Sequence, residues 1–283
     1  MESDFEVAIK VAPHHIEWET MLWVARHADE SPVYSDFWNF DHFYPIYGDS
    51  SGSCLESWVT LSAIAQATSR IRVGCMVNGV HYRHPAVLAN MASGLDIISG
   101  GRFELGLGAG WNEEESGAYG IHLGSLTERF NRFDEALAVI VSLLHEEKTS
   151  FDGEYFSLKE ALNNPKGPQN KLPICIGGTG EKRTLPNVAK YASHWNLPSF
   201  DQTLFTDKLN SLKIYCDGIR RDVNEIKIST HIFVEEATSN ETIIKQLRIQ
   251  KEAGINQSII YFQPPVTKEK IRSVTEVLSS SVR

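Results

Sequence analysis

The chain has 283 residues, of which 42% are hydrophobic and 22% charged, and a formal net charge of −9. This is the composition of a globular protein able to bury a sizeable core. The acidic balance argues against nucleic-acid and anionic-membrane binding, which need clustered positive charge; no apolar run nears the roughly 18 residues of a membrane span.

In chain order, short β-branched runs alternate with segments of helical period. MESDFEVAIK, at the start, lacks the basic and apolar regions of a signal peptide, so a cytoplasmic location is expected. FEVAIKV (5–11), SDFWNFD (35–41) and IRVGCMV (71–77) read as the first three strands. Val87, Met91, Leu95 and Ile98 then form an apolar stripe, entered through Pro85 and stopped by Gly100 and Gly101. RFELGLG (102–108) is the fourth strand. In the insert at 111–126, Gly117, Gly120 and Gly124 argue against a regular helix. A helix over 127–147 follows, with Thr127 as N-cap and Phe130, Phe133, Leu137, Ile140 and Leu144 as its stripe. A second insert, 149–172, holds an Asp152-Gly153 turn and a Pro/Gly/Asn-rich approach to the next strand. PICIG (173–177), HWNL (194–197), IKISTHIFV (226–234) and QSIIYF (257–262) complete the strands, and a last helix covers 268–279.

Eight strands alternating with helices indicate parallel βαβ units, which close most economically into a (β/α)8 TIM barrel; a doubly wound open sheet is the rival. The barrel carries insertions after strand 4 and before strand 5. With no linker apparent, residues 1–283 read as one domain.

In such a barrel, function gathers at the C-terminal ends of the strands. That rule selects Asp41 and His42; Cys75, Met76 and Val77; Gly108, Ala109 and Gly110; Gly177, Gly178, Thr179 and Gly180; and Asn196. Gly106-x-Gly108-x-Gly110 lacks both the spacing and the following helix of a dinucleotide-binding turn, so small residues allowing a tight turn are the simpler reading. The loop at 177–180 differs. It runs from a strand into a helix with Lys182 and Arg183 close by, and either holds an anion or only makes the turn. His42 suits proton transfer near neutrality, although a lone histidine is more often structural. The surrounding Trp38, Phe40, Phe43, Tyr44 and Tyr47 suit a planar ligand or a packed barrel end. Glu113, Glu114 and Glu115 read as a solvated face rather than a glycosidase pair. No G-x-S-x-G elbow occurs. Four scattered cysteines (54, 75, 175, 216) and two histidine pairs without acidic or thiol partners give no metal site and no disulfide framework.

Several segments together resemble a known family: DHFYP (41–45), YRHPAVLANMASGLDIISGGRFELGLGAGWNEEE (82–115), AYGI, ERFNRFDEAL and LPICIGGTGEKRTLPNVAKYASHWN (172–196). Together they are similar to the luciferase-like flavin monooxygenase superfamily, and within it to the branch using the deazaflavin coenzyme F420. The resemblance runs from the first strand to the sixth. It implies a barrel with a flavin-type ring across its mouth, commonly as a homodimer acting on a small molecule. Gly177, Gly178, Thr179 and Gly180 would hold the cofactor phosphate, with Lys182 and Asn196 beside it. Cys75, Met76 and Val77 would form a bulge, often with a non-prolyl cis peptide, that backs the ring, and Gly108, Ala109 and Gly110 would leave it room. His42, oriented by Asp41, would exchange a proton. Trp111 stands where some deazaflavin dehydrogenases have a catalytic glutamate, which weighs against a sugar-phosphate substrate; Trp111 and Phe43 would shape the substrate pocket. The resulting expectation is hydride transfer between F420 and a small organic substrate. The alternatives are an FMN-dependent monooxygenase and a flavin-binding protein without turnover.

Overall fold

A computed structural model describes residues 5–281. The strands are β1 Glu6–Val11, β2 Tyr34–Asn39, β3 Arg72–Gly79, β4 Phe103–Gly108, β5 Thr149–Asp152, β6 Ser157–Ala161, β7 Ile174–Gly177, β8 His194–Leu197, β9 Lys227–Val234 and β10 Gln257–Phe262. The α-helices are α1 Trp18–Glu30, α2 Ser57–Ala67, α3 Pro85–Ser99, α4 Glu113–Ala118, α5 Leu126–His145, α6 Thr184–Tyr191, α7 Gln202–Gly218, α8 Asn240–Glu252 and α9 Lys268–Ser281. Eight strands close in the order β1-β10-β9-β8-β7-β4-β3-β2, all neighbours parallel, while β5 and β6 form a separate antiparallel hairpin. The expected TIM barrel is present, and the open-sheet rival is excluded by closure. No helix among the described residues is long and apolar enough to cross a membrane.

The helices differ from expectation in three places. α5 begins at Leu126, because the Ser125 hydroxyl rather than that of Thr127 accepts the Glu128 N–H and caps the helix. The 111–126 insert does contain a short helix, α4, nucleated by the Asn112 side chain accepting the Glu115 N–H; Gly120 and Gly124, both at positive φ, fall beyond its end. In α3 the buried face is Leu88, Ala92 and Leu95, while Val87 and Ile98 are 52% and 47% exposed. That helix is apolar almost all round, so its period alone does not choose the face.

Alternation along the strands sends every second residue into the barrel, and register stacks these residues in layers. The lowest is ionic. Glu104 on β4 meets His194 Nδ1 on β8 at 2.5 Å, with Lys227 Nζ 3.8 Å from its other oxygen, and the Gln257 amide donates to Asp36 at 2.6 Å. Above it lie Ala8, Trp38, Met76, Cys175 and Ile259, packed and apolar. Lys10, Phe40 and Tyr261 come next, with Lys10 in register with Tyr261, and form the floor of an open space at the C-terminal mouth.

Candidate active site

The mouth encloses a cavity of about 480 Å³, within the range of small-molecule sites. Asp41, His42, Met76, Val77, Gly108, Ala109, Gly110, Trp111, Gly177, Gly178, Thr179, Gly180 and Asn196 all line it. Three expected residues do not. Cys75 is fully buried behind the wall. Phe43 points its ring at Tyr82 and Tyr119. Lys182 sits exposed on the turn before α6, while its neighbour Arg183 is engaged by Asp134 at 2.6 Å and Asn131 at 2.8 Å. Arg183 is thereby turned toward α5, away from the glycine loop.

The wall at β3 is a bulge. Register between β3 and β4 shifts between Cys75 and Asn78, and the Met76–Val77 peptide there is cis. β4 admits it by having no side chain at 106, where a Cβ would lie 2.0 Å from the Cys75 carbonyl oxygen. Gly106 therefore serves the approach of the β3 backbone, and Gly108 makes room for the Val77 side chain.

The loop at 177–180 follows β7. Its Gly178 N–H donates to the Asn196 carbonyl at 3.0 Å, and Trp195 Nε1 donates to the Gly178 carbonyl at 2.8 Å, which pins the loop to β8. Gly178 has φ +119°, a conformation open to glycine and strained for other residues. Among the described residues no acceptor takes the N–H of Thr179 or Gly180. Asn196 is anchored through Nδ2 to Ser229 Oγ at 2.9 Å.

His42 is held by Glu115 rather than by Asp41. Its Nδ1 lies 2.7 Å from Glu115 Oε2, the Phe43 N–H donates to Oε1 at 2.6 Å, and the Tyr82 hydroxyl donates to the same carboxylate. Burial alone would raise the Glu115 pKa, but these three donors together hold it below the ordinary value. An ionised carboxylate only accepts, so Nδ1 carries the proton and Nε2 is the nitrogen left for the cavity. Asp41 instead takes a forked pair from Arg83, at 2.6 and 3.1 Å, and Arg83 also reaches Glu56 at 2.6 Å. Burial pushes the Asp41 carboxyl up and Arg83 pulls it back. The expected Asp41–His42 orientation is thus corrected: the aspartate shares a chain segment with His42, but Arg83 outcompetes the imidazole for it with two parallel N–H donors. Trp111, 59% exposed at the rim, stands edge-on to His42 with ring centroids 5.5 Å apart.

The glutamate run therefore does not behave as a solvated face. Glu113 and Glu114 are exposed, but Glu115 is fully buried. A signal was available: Asn112 three residues before Glu115 is a capping pattern, which starts α4 and turns position 115 inward. Lys10, Tyr82, His231 and Tyr261 also line the cavity without having been selected.

One group of potential metal ligands occurs among the described residues: Glu104, Cys175 and His194, all buried in the lower barrel. Both imidazole nitrogens of His194 are already bonded, to Glu104 and to Ser229 Oγ at 2.6 Å, and burial pushes the Cys175 thiol up. Glu104 and His194 are thus engaged with each other and with Ser229, and burial disfavours the Cys175 thiolate that a metal would need.

Comparison with known proteins adds a frame. The family described as luciferase-like monooxygenase matches residues 6–264. An F420-dependent glucose-6-phosphate dehydrogenase of Microbacterium testaceum is 31% identical over 201 residues, 68% of this chain and 58% of that protein. An F420-dependent hydroxymycolic acid dehydrogenase of Mycobacterium tuberculosis is 33% identical over 190 residues, 66% of this chain and 51% of the relative. The matches thus span between half and three-fifths of these curated relatives. Among solved structures, an F420-dependent secondary alcohol dehydrogenase in complex with an F420-acetone adduct superposes with a TM-score of 0.89, covering 99% of both chains at 19% identity, a likeness of fold.

Proposed function

The chain belongs to the luciferase-like monooxygenase family, and from that premise we propose that it is an oxidoreductase that binds coenzyme F420 in the barrel mouth and acts on a small organic substrate. The observation that carries the reading is the buried chain Tyr82–Glu115–His42, which presents one imidazole nitrogen to the same cavity that the 177–180 loop borders. The F420-dependent relatives support the coenzyme.

The residues present fit such a group. The glycine loop offers free amide N–H groups to a phosphate, and the bulge at Met76 and Val77, with the small residues Gly108, Ala109 and Gly110 beside it, walls the cavity opposite. When bound, the coenzyme supplies the hydride chemistry. The protein's part is placement, exclusion of water and the proton. His42 Nε2 takes the proton of a substrate hydroxyl, or returns one to a carbonyl oxygen, while Glu115 fixes the tautomer that allows it. Trp111 and Phe233, with Tyr47, surround the entrance with aromatic surface and favour a substrate with an apolar portion.

Parallel fluorescence titrations with F420 and FMN test the reading. F420 is expected to bind at least about tenfold more tightly. Tighter FMN binding points to the monooxygenase alternative, and failure of both to bind overturns the proposal. A protein that binds F420 but never oxidises its reduced form with any alcohol–carbonyl pair is a carrier.

A further inference from the structure

Lys10 stands in the apolar run of β1 and is 4% exposed, yet among the described residues no carboxylate lies within ion-pair distance of its ammonium. Its Nζ donates to the Met76 carbonyl at 2.9 Å and lies 3.3 Å from His231 Nε2. His231 Nδ1 is 3.0 Å from the Pro198 carbonyl, which can only accept. Nδ1 therefore carries the proton, and Nε2 accepts from Lys10. Two of the three ammonium hydrogens are placed, and one is left. Beside it Tyr261, whose ring lies 4.7 Å from Nζ, is 3% exposed, and its hydroxyl has the Gln263 side chain near it but no hydrogen bond of ordinary length within the chain. Lys10, His231 and Tyr261 all line the cavity. A buried charge without a counter-ion and a buried hydroxyl without a close partner are each unfavourable, and here they share one floor.

We propose that Lys10 and Tyr261, braced by His231, form a binding subsite for a negatively charged oxygen, and that the ligand is the missing counter-ion. The chemical class is a carboxylate or an enolate-like oxygen on a planar ring. The oxygen belongs either to the bound coenzyme's ring, a case that rests on the function proposed above, or to the substrate, as a carboxylate. The division of labour is then spatial: the His42 wall handles the proton and the Lys10 floor fixes the charge.

The subsite has its own pH signature. Burial lowers the Lys10 pKa to about 8. The ammonium is present below that value and lost above it, so anion affinity falls as pH rises through about 8. The groups facing Lys10 do not titrate there. Burial and the Lys10 charge hold His231 well below its ordinary value, and burial raises Tyr261, Cys75 and Cys175.

Two variants separate this charge from mere support of the Met76 carbonyl: Lys10→Gln keeps a donor without the charge, and Lys10→Met removes both. With sodium oxalate as probe, against sodium chloride of equal ionic strength, the wild-type protein is expected to bind oxalate and both variants to lose that binding at least tenfold. In F420 titrations, a tenfold or greater loss in Lys10→Gln, with loss of the decline above pH 8, assigns the oxygen to the coenzyme. Unchanged F420 affinity, with oxalate binding to the F420-loaded protein lost only in the variants, assigns it to the substrate. Variants that bind oxalate and F420 as the wild type does, with the same pH profile, overturn the subsite. A wild type that takes up neither F420 nor FMN but still binds oxalate through Lys10 overturns the coenzyme reading and leaves the subsite standing.

Discussion

Glu115 collects three donors, from His42, Tyr82 and the Phe43 backbone, on a carboxylate that water does not reach. An amide there has one acceptor oxygen and turns an N–H toward a donor, so Glu115→Gln frustrates the cluster without emptying its volume. Turnover is expected to fall about 100-fold with KM changed little, because a misoriented base is missed most in the proton-transfer step. A merely structural role would not alter the imidazole, so the second readout is its nitrogen spectrum: the Nδ1–H tautomer of His42 is present in the wild type and lost in Glu115→Gln. Full turnover with an unchanged tautomer would remove Glu115 from the mechanism.

Among elements, the β3–β4 pair decides the shape of the mouth. The bulge at Met76 and Val77 leans on β4 at Gly106, where there is no room for a methyl group. Gly106→Ala is expected to destabilise the fold by roughly 1–3 kcal/mol and to weaken coenzyme binding with it, since the bulge must retreat. Gly117 in α4 is the control. A Cβ there meets nothing within 4 Å, and alanine is expected to be neutral or stabilising by up to about 1 kcal/mol. Chemical denaturation of the two variants measures both; equal stability would mean that β4 does not carry the bulge. The glycine loop after β7 is a second such element, tied to β8 through Trp195 and Asn196, so its shape is set by the neighbouring strand as much as by its own glycines.

The whole barrel buries several histidines that its fold keeps neutral. Burial, aided by neighbouring imidazoles, lowers His14 to about 4; burial also lowers His81 to about 4 and His231 well below its ordinary value. In the unfolded chain each protonates near 6.5, so between about pH 6.5 and 4 the unfolded state binds more protons and stability falls on acidification. The expected loss is on the order of 3 kcal/mol across that window for His14 alone, read from urea midpoints at constant ionic strength, and His14→Phe should remove that part of it. A midpoint constant from pH 7 to 4.5 would contradict the assignment. The sequence by itself determined the architecture: eight β-branched runs separated by helical segments are a local signal, and even HWNL, four residues with two polar ones, forms its strand because its inward positions hold His194 and Asn196. It also selected the rim of the cavity, since in a parallel barrel the strand ends must converge there. The pairings within the site were decided only by the tertiary structure. Asp41 lies next to His42 in sequence and bonds to Arg83, while Glu115, 73 positions away, bonds to His42. Lys10 looks like one polar interruption in an apolar strand until closure places it beneath the cavity with no carboxylate near. Partner choice among buried polar groups depends on distances across the barrel, and those are fixed by register and closure, which no local run of residues encodes.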